Sequence, residues 1–294
     1  MTAGKSARST IAFQGAPGAF SHRAALLYAE QHLGDGDAQV VPCEAFAGIF
    51  EALADGRACF GVVPLENSTI GSIVANYDLL WEHDVCMVGE VVTTIHHQLL
   101  GLAGAEIKGL REVYSHPAAL EQCRRFFAGC PWLKPVAFFD TSGAARHVAA
   151  RKDATMAAIA GEFAMREYGL SLLQSNIEDS PHNRTRFGVI ANAGAPDDAL
   201  PEPPYKISAA VELPHSPGSL SRLLSSLAAQ SVNLTKIESR PIADAPWHYR
   251  FFVDMELDDL RKDEHVVKAL ADCTERFKLI GRYMPWVETR ASAS

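Results

Sequence analysis

The stretch TIAFQGAPGAFSHRAALLYAEQHL, residues 10–33, holds a strand, a turn and a helix in succession. Its first six residues form a short apolar run closed by Gly15. The Gly15-Ala-Pro-Gly18 turn that follows combines glycine freedom with a proline that lacks an N–H, so neither element runs through it. From Phe20 the positions Ala24, Leu27 and then 31–33 return at helical spacing. A strand that hands over to a helix through glycine is the repeating unit of an α/β sheet.

The unit recurs outward from there. CFGVVPLEN (59–67) is a buried-strand run, followed by a helix over 73–81. EVVTTIHHQLL (90–100) is β-branched and extended, and EVYSH (112–116) leads into Pro117, a good first helical residue. VAFFD (136–140) precedes TSGAARHVAA, and the alanine-rich run 154–169 predicts one helix closed by Gly169. This alternation predicts an α/β domain with a largely parallel sheet. NAGAPDDALPEPP (192–204), with four prolines, breaks the pattern and reads as an interdomain linker. Beyond it, strands at 205–214, 232–241, 247–257 and 279–284 and helices at 218–230 and 265–277 spell β-α-β-β-α-β, the ferredoxin-like order. A module of about 80 residues leaves its sheet in need of cover, which predicts a homodimer through it, with a tetramer as the alternative.

The chain has 294 residues, 48% apolar and 21% charged, with a net charge of −8, which is globular usage for about two domains. No Lys/Arg cluster concentrates positive charge, so nucleic acid is not an expected partner. No apolar run reaches the ~20 residues of a spanning helix, so no membrane is expected. MTAGKSARSTIAFQG lacks the apolar core of a secretory signal. Cysteines at 43, 59, 86, 123, 130 and 273 form no C-x-x-C pair. That suits free thiols in a reducing, cytoplasmic setting, and no metal site is expected.

Chemistry collects where strands end. Gly15 to Ser21 joins a strand to a helix whose free N–H groups attract anions; a plain βα turn is the alternative. Glu66-Asn67-Ser68-Thr-Ile-Gly71-Ser72 places polar side chains past a buried strand, where open α/β sheets bind ligands. A capping loop on Asn67 or Ser68 is the bland reading, but the whole stretch has more hydrogen-bonding capacity than one cap needs. In Asp140-Thr141-Ser142-Gly143, Thr141 or Ser142 would cap the next helix or meet substrate. His116 faces the cleft or simply caps. Asn183-Arg184-Thr185-Arg186-Phe187 is the densest cluster, two guanidiniums around a hydroxyl, and arginine suits carboxylates. His96 and His97 are neighbours on one extended run and point to opposite faces, so they cannot share a metal from one side. In the second module, Pro217-Gly218-Ser219-Leu220 exposes N–H groups at a helix start. Asn233-Leu234 and Glu238-Ser239 lie on a strand ending in polar residues. These suit an amino-acid ligand, or a loop with a dimer contact.

In this succession the blocks FQGAPGAFS, VVPLENSTIGS, SHPAALEQC, DTSGAA, NRTRF, PGSL and NLTKIESRP resemble the prephenate and arogenate dehydratases that carry a C-terminal ACT domain. The resemblance implies a two-lobed catalytic domain similar to type II periplasmic binding proteins over 8–191, a linker over 192–204 and a ferredoxin-like ACT domain over 205–288. Two positions depart from the usual pattern: Ala19, the form that arogenate dehydratases commonly carry, stands where many bacterial members have threonine, and Ala118 stands where glutamine is usual. Fourteen residues precede Gly15, which is expected of the monofunctional form. Arogenate dehydratase and a non-catalytic amino-acid-sensing binding protein are the rival readings.

The implied reaction removes CO2 and the ring hydroxyl of prephenate together, giving phenylpyruvate. Aromatisation drives it, so no cofactor is expected, and the barrier lies in expelling a poor leaving group. The resemblance makes Thr185 the donor to that oxygen, with Asn67, Ser68 or a water resupplying its proton. Gly18, Ala19, Phe20, Ser21, Glu66, Thr141, Ser142, Gly143, Arg186 and Phe187 are the expected substrate contacts, Arg186 holding a carboxylate and Phe187 forming an apolar wall. L-phenylalanine is the expected effector, at Pro217, Gly218, Ser219, Leu220, Asn233, Leu234, Glu238 and Ser239.

Overall fold

A computed structural model describes residues 9–34, 38–194 and 200–287. Residues 1–8, 35–37 and 288–294, and 195–199 of the expected linker, lie outside the described residues. The chain divides into two compact units. One combines residues up to Gly71 with Val92–Phe187; the other combines Ser72–Val91 with the chain from Gly188.

In the first unit, Ser9–Gln14 is the middle of a parallel set, paired with Ala38–Cys43 on one side and Phe60–Asn67 on the other. The helices Phe20–His32 and Phe46–Ala54 follow the first two of these strands. Ala38–Cys43 was not anticipated from sequence, because its alternation is blurred by Pro42. A second sheet runs Ser171–Gln174, Gln98–Gly101, Met156–Ala160, Glu112–Ser115, Lys134–Ala137. Its last three strands are parallel, and Gln98–Gly101 runs against its neighbours on both sides.

The run 154–169 is not one helix. It divides into the strand Met156–Ala160 and the helix Glu162–Tyr168, with Gly161 between them and Gly169 closing in the left-handed region. The reason is burial on two sides. Ala157 and Ile159 pack with Val113, Cys123 and Phe126, while Ala158 and Ala160 pack with Ala144, Val148 and Ala164. A strand sandwiched this way reads as a continuous apolar run, which periodicity cannot tell from a helix. Likewise 90–100 is interrupted: Val85–Thr94 ends before the irregular segment 95–97 that holds His96 and His97, and Gln98 starts the next strand.

The second unit contains the antiparallel sheet Asn233–Ile242, Ala245–Leu257, Tyr205–Glu212, Arg276–Tyr283, in that order. The helices Ser219–Ala229 and Asp263–Asp272 cover one face through Leu223, Leu227, Val266 and Leu270, against Ile207, Val211, Val253 and Met255. The β-α-β-β-α-β order is the one expected. What sequence did not suggest is the cover on the other face: the helix Val74–Glu82, expected in the first domain, packs there. Lys278 Nζ donates to the carbonyls of Leu80 (2.8 Å), Trp81 (3.2 Å) and His83 (2.5 Å), satisfying the open end of that helix. Arg250 lies 3.8 Å over the Trp81 ring and pairs with Glu212, and Arg240 grips Asp78 through two bonds.

Candidate active site

Thr185 is the second residue of the strand Arg184–Asn192 and is nearly buried, beside Asn67 at the end of Phe60–Asn67. Asn67 Oδ1 accepts the backbone N–H groups of Thr69 (3.0 Å) and Ile70 (3.1 Å). A backbone N–H can only donate, so this fixes which way round the amide sits. Its Nδ2 then donates to Asn183 Oδ1 (2.7 Å) and to Thr185 Oγ1 (2.9 Å). The threonine oxygen is thus an acceptor toward Asn67, and its own proton is turned elsewhere. The same logic runs onward. Asn183 is 1% exposed, and with its oxygen occupied it presents Nδ2 to Gln122 Oε1 (3.0 Å). A cavity of 420 Å³ lined by Thr69, Ile70, Ala118, Gln122 and Asn183 opens beside these two amides, within the size range of small-molecule sites.

The glycine turn is anchored to the other lobe of the same unit. Ser142 Oγ (2.5 Å) and Tyr168 Oη (2.6 Å) both donate to the Pro17 carbonyl. Gly18 has φ +87°, and a Cβ there would sit 2.8 Å from Ala164 Cα and from Ser142 Oγ. Only glycine fits, on backbone and on space. The Gly18 N–H donates to His22 Nδ1 (2.9 Å), and burial holds that imidazole's pKa below its ordinary value. Phe20 stands half-buried with its ring edge-on to His97, and Ser21 is buried one residue on.

Several expectations need correction. The Gly143 N–H, an expected donor to substrate, is taken by the Asp140 carboxylate, and the Gly18 N–H by His22. Asp140, not Thr141 or Ser142, caps the helix Thr141–Arg151. Ser68 Oγ donates to the His182 carbonyl (3.0 Å) and accepts the Arg184 N–H (2.9 Å), which ties two chain segments together. Arg186 alternates to the opposite side of its strand from Thr185 and Phe187 and lies 4.0 Å from Glu66. The strand therefore cannot present Thr185 and Arg186 on one face. Phe187, 2% exposed, shares the Thr185 side. His116 caps its helix through Nδ1.

A family model described as prephenate dehydratase matches residues 11–195. The bifunctional chorismate mutase/prephenate dehydratase of Neisseria gonorrhoeae is 36% identical over 93% of this chain and 74% of its own length. The chain belongs to the prephenate dehydratase family. Among solved structures, the prephenate dehydratase of Arthrobacter aurescens in complex with L-Phe is 29% identical and superposes with a TM-score of 0.82, over 94% of this chain and 89% of that one. The quorum-quenching acylase GqqA is 31% identical with a TM-score of 0.81, over 94% of this chain and 98% of its own. Membership assigns the dehydration of prephenate in phenylalanine biosynthesis. Because the acylase shares the fold, the chemistry has to be argued from the site.

Asn183 stands in the densest sequence cluster without an expected role, and Gln122 lies in the block SHPAALEQC without being singled out. Nothing in one dimension says that residues 67, 122 and 183 share a chain of amides. In the second unit, Gly218 (φ +83°) starts the helix Ser219–Ala229, and Arg222 reaches back to the Pro217 carbonyl and the Ser216 and Ser219 hydroxyls. Leu220 follows, half-buried. A register shift between Leu234 and Lys236 rearranges the expected effector strand. Leu234 and Ser239 pair opposite residues on the helix-covered side, Asn233 and Glu238 opposite residues on the other. Glu238 already accepts the Ser72 hydroxyl at 2.5 Å. One ligand on one face cannot meet all four.

Proposed function

We propose that Thr185 donates the hydrogen bond that carries the leaving hydroxyl of prephenate. In the reaction the C–C bond to the ring carboxylate breaks and releases CO2. Its electron pair enters the ring, and the ring C–O bond breaks with its own pair. The departing oxygen takes one proton and leaves as water. A threonine hydroxyl is too weak an acid to surrender its proton outright, and Asn67, whose amide N–H is no stronger an acid, cannot resupply one. The proton therefore comes from water, and Thr185 stabilises negative charge as it develops on the oxygen. The observation that carries this reading is the Asn67 Nδ2 bond to Thr185 Oγ1, which leaves the threonine proton as the free end of the network. Thr185→Val lowers kcat by roughly 10²- to 10⁴-fold with KM within several-fold, read as phenylpyruvate absorbance in alkali. An unchanged kcat removes Thr185 from the mechanism.

Ala19 makes arogenate the rival substrate, and kcat/KM for the two compounds decides between them. For control, we infer that L-phenylalanine, which the Arthrobacter structure holds, is bound by the second unit around Gly218, Ser219, Leu220 and Asn233 of paired copies. Phenylalanine slows the wild type, and the rate of Gly218→Val is the same with and without it; equal inhibition of both moves the site elsewhere. A dimer mass by light scattering accompanies this reading, and a monomer contradicts it. The six free cysteines suit a cytoplasmic enzyme.

A further inference from the structure

The amide chain that ends at Thr185 begins at a histidine. Gln122 Oε1 accepts from Asn183 and also lies 2.7 Å from His97 Nε2. An oxygen that already accepts can only be met by another donor, so Nε2 carries the hydrogen. The ring's Nδ1 is buried without a hydrogen-bond partner, so a proton placed there would have no acceptor. His97 itself is 2% exposed, and the Phe20 ring of the glycine turn stands edge-on to it, centroids 6.0 Å apart. Its backbone N–H donates to Glu178 Oε2 (2.9 Å), and Glu178 Oε1 faces His96 Nδ1 at 2.7 Å. Glu178 and His96 are the titratable groups whose charge His97 senses; burial dominates over both and keeps the imidazole neutral.

We propose that His97, as its neutral Nε2–H tautomer, is a positioning residue that fixes the direction of the Gln122–Asn183–Asn67 amide chain and so aims the Thr185 hydroxyl. The inference rests on the Thr185 reading. Its logic is that of polarity. The chain is pinned at one end by the Thr69 and Ile70 N–H groups and at the other by His97. With the opposite tautomer, Nε2 would offer a lone pair and the Gln122 amide would turn over to donate to it. Gln122 Nε2 would then confront Asn183 Nδ2, and reversing Asn183 would set its Nδ2 against Asn67 Nδ2. Each step puts donor against donor, at the cost of an unsatisfied buried group. The device has no charge and touches no substrate.

The test uses His97→Leu, which removes the donor, and His97→Gln, whose amide N–H can take the place of Nε2–H. His97→Leu lowers kcat roughly 10- to 100-fold with KM within threefold, and His97→Gln restores most of that loss. In the Thr185→Val background His97→Leu costs less than threefold more, because both act on one hydroxyl. ¹⁵N-detected spectra of the wild type show His97 as the Nε2–H tautomer between pH 6 and 8. The inference is overturned if His97→Leu keeps wild-type kcat, if His97→Gln is as slow as His97→Leu at equal Tm, if the two losses multiply, or if the Nδ1–H tautomer is found. Failure of the Thr185 reading looks different: Thr185→Val alone then keeps its kcat.

Discussion

The side chains that hold Thr185 are neutral, two asparagines, a glutamine and an imidazole, whereas the sheet face that carries the helix Val74–Glu82 is held by full charges. Glu212 and Arg250 are 9% and 12% exposed and pair at 2.6 Å; Glu90 and Lys206 are 2% and 16% exposed and pair at 2.7 Å. Charges that deep persist only in pairs, because each without the other would carry an uncompensated desolvation cost. Such pairs hold elements in register. The amide chain does another task. Prephenate brings two carboxylates, and a cation beside Thr185 would hold them tightly in the ground state. A neutral donor network instead favours the oxygen on which charge grows, which is where binding energy lowers a barrier.

The most direct way to break the comparison is to put a charge into the neutral network. Asn67→Asp replaces the Nδ2 donor by a carboxylate oxygen of similar size. The Thr185 proton then turns toward Asp at 67 instead of toward substrate, and Asn183 Oδ1 faces a second acceptor. The expected loss in kcat is at least 100-fold, comparable to that of Thr185→Val, with the fold retained through the two backbone N–H bonds. Steady-state kinetics with circular dichroism checks it. Wild-type kcat in a folded Asn67→Asp protein would mean that the donor direction is irrelevant.

The two regions also differ in how far they could be read from sequence. Strand-to-helix turns were legible because glycine, proline and helical spacing are local, and the residues 205–283 declared their order through alternation and Leu spacing. The helix Val74–Glu82 was legible as a helix but not in its place, since Lys278, Arg240 and Arg250 meet it from about 160 or more residues away. At the site, the polar clusters that hold Asn67 and Thr185 stood out by chemical type, and the family resemblance gave Thr185 its role. Arg186 was misplaced because a dense cluster of letters ignores the two-residue alternation of a strand. Ser68 and Ser142 were hydroxyls available on paper and are committed to carbonyls in three dimensions. The share of a site that sequence withholds is the direction of its hydrogen bonds.

The neutral network has a pH limit set by its histidine. Burial lowers the pKa of His97 and, by the Phe13 and Phe163 rings, of His22. In the unfolded chain both return to about 6.5. Below that value the unfolded state binds protons that the folded state refuses, so stability is present above pH 6.5 and is lost as pH falls through it. Tm measured by calorimetry therefore drops by roughly 2–5 °C between pH 7.5 and pH 5.5. A Tm that rises on acidification would contradict neutral burial of these rings.

The weakest lever lies in the charged layer. Asp78 and Arg240 are joined by two bonds at 3.2 and 2.7 Å, but their side chains are 36% and 26% exposed. Water and salt therefore screen the pair, and the geometry, although two-pronged, contributes only about 0.5–1 kcal/mol. Asp78→Asn keeps the shape and one acceptor, so it lowers Tm by about 2 °C at low salt and leaves kcat alone. In 1 M NaCl, where the screening length is about 3 Å, the difference between variant and wild type shrinks toward zero. The Asn67→Asp loss in kcat stays the same in both salts, because it arises from donor direction within a buried network and not from a field that ions can reach. If salt were to rescue Asn67→Asp as well, the two regions would be variants of one electrostatic design, and the distinction between positioning by direction and fastening by charge would fail.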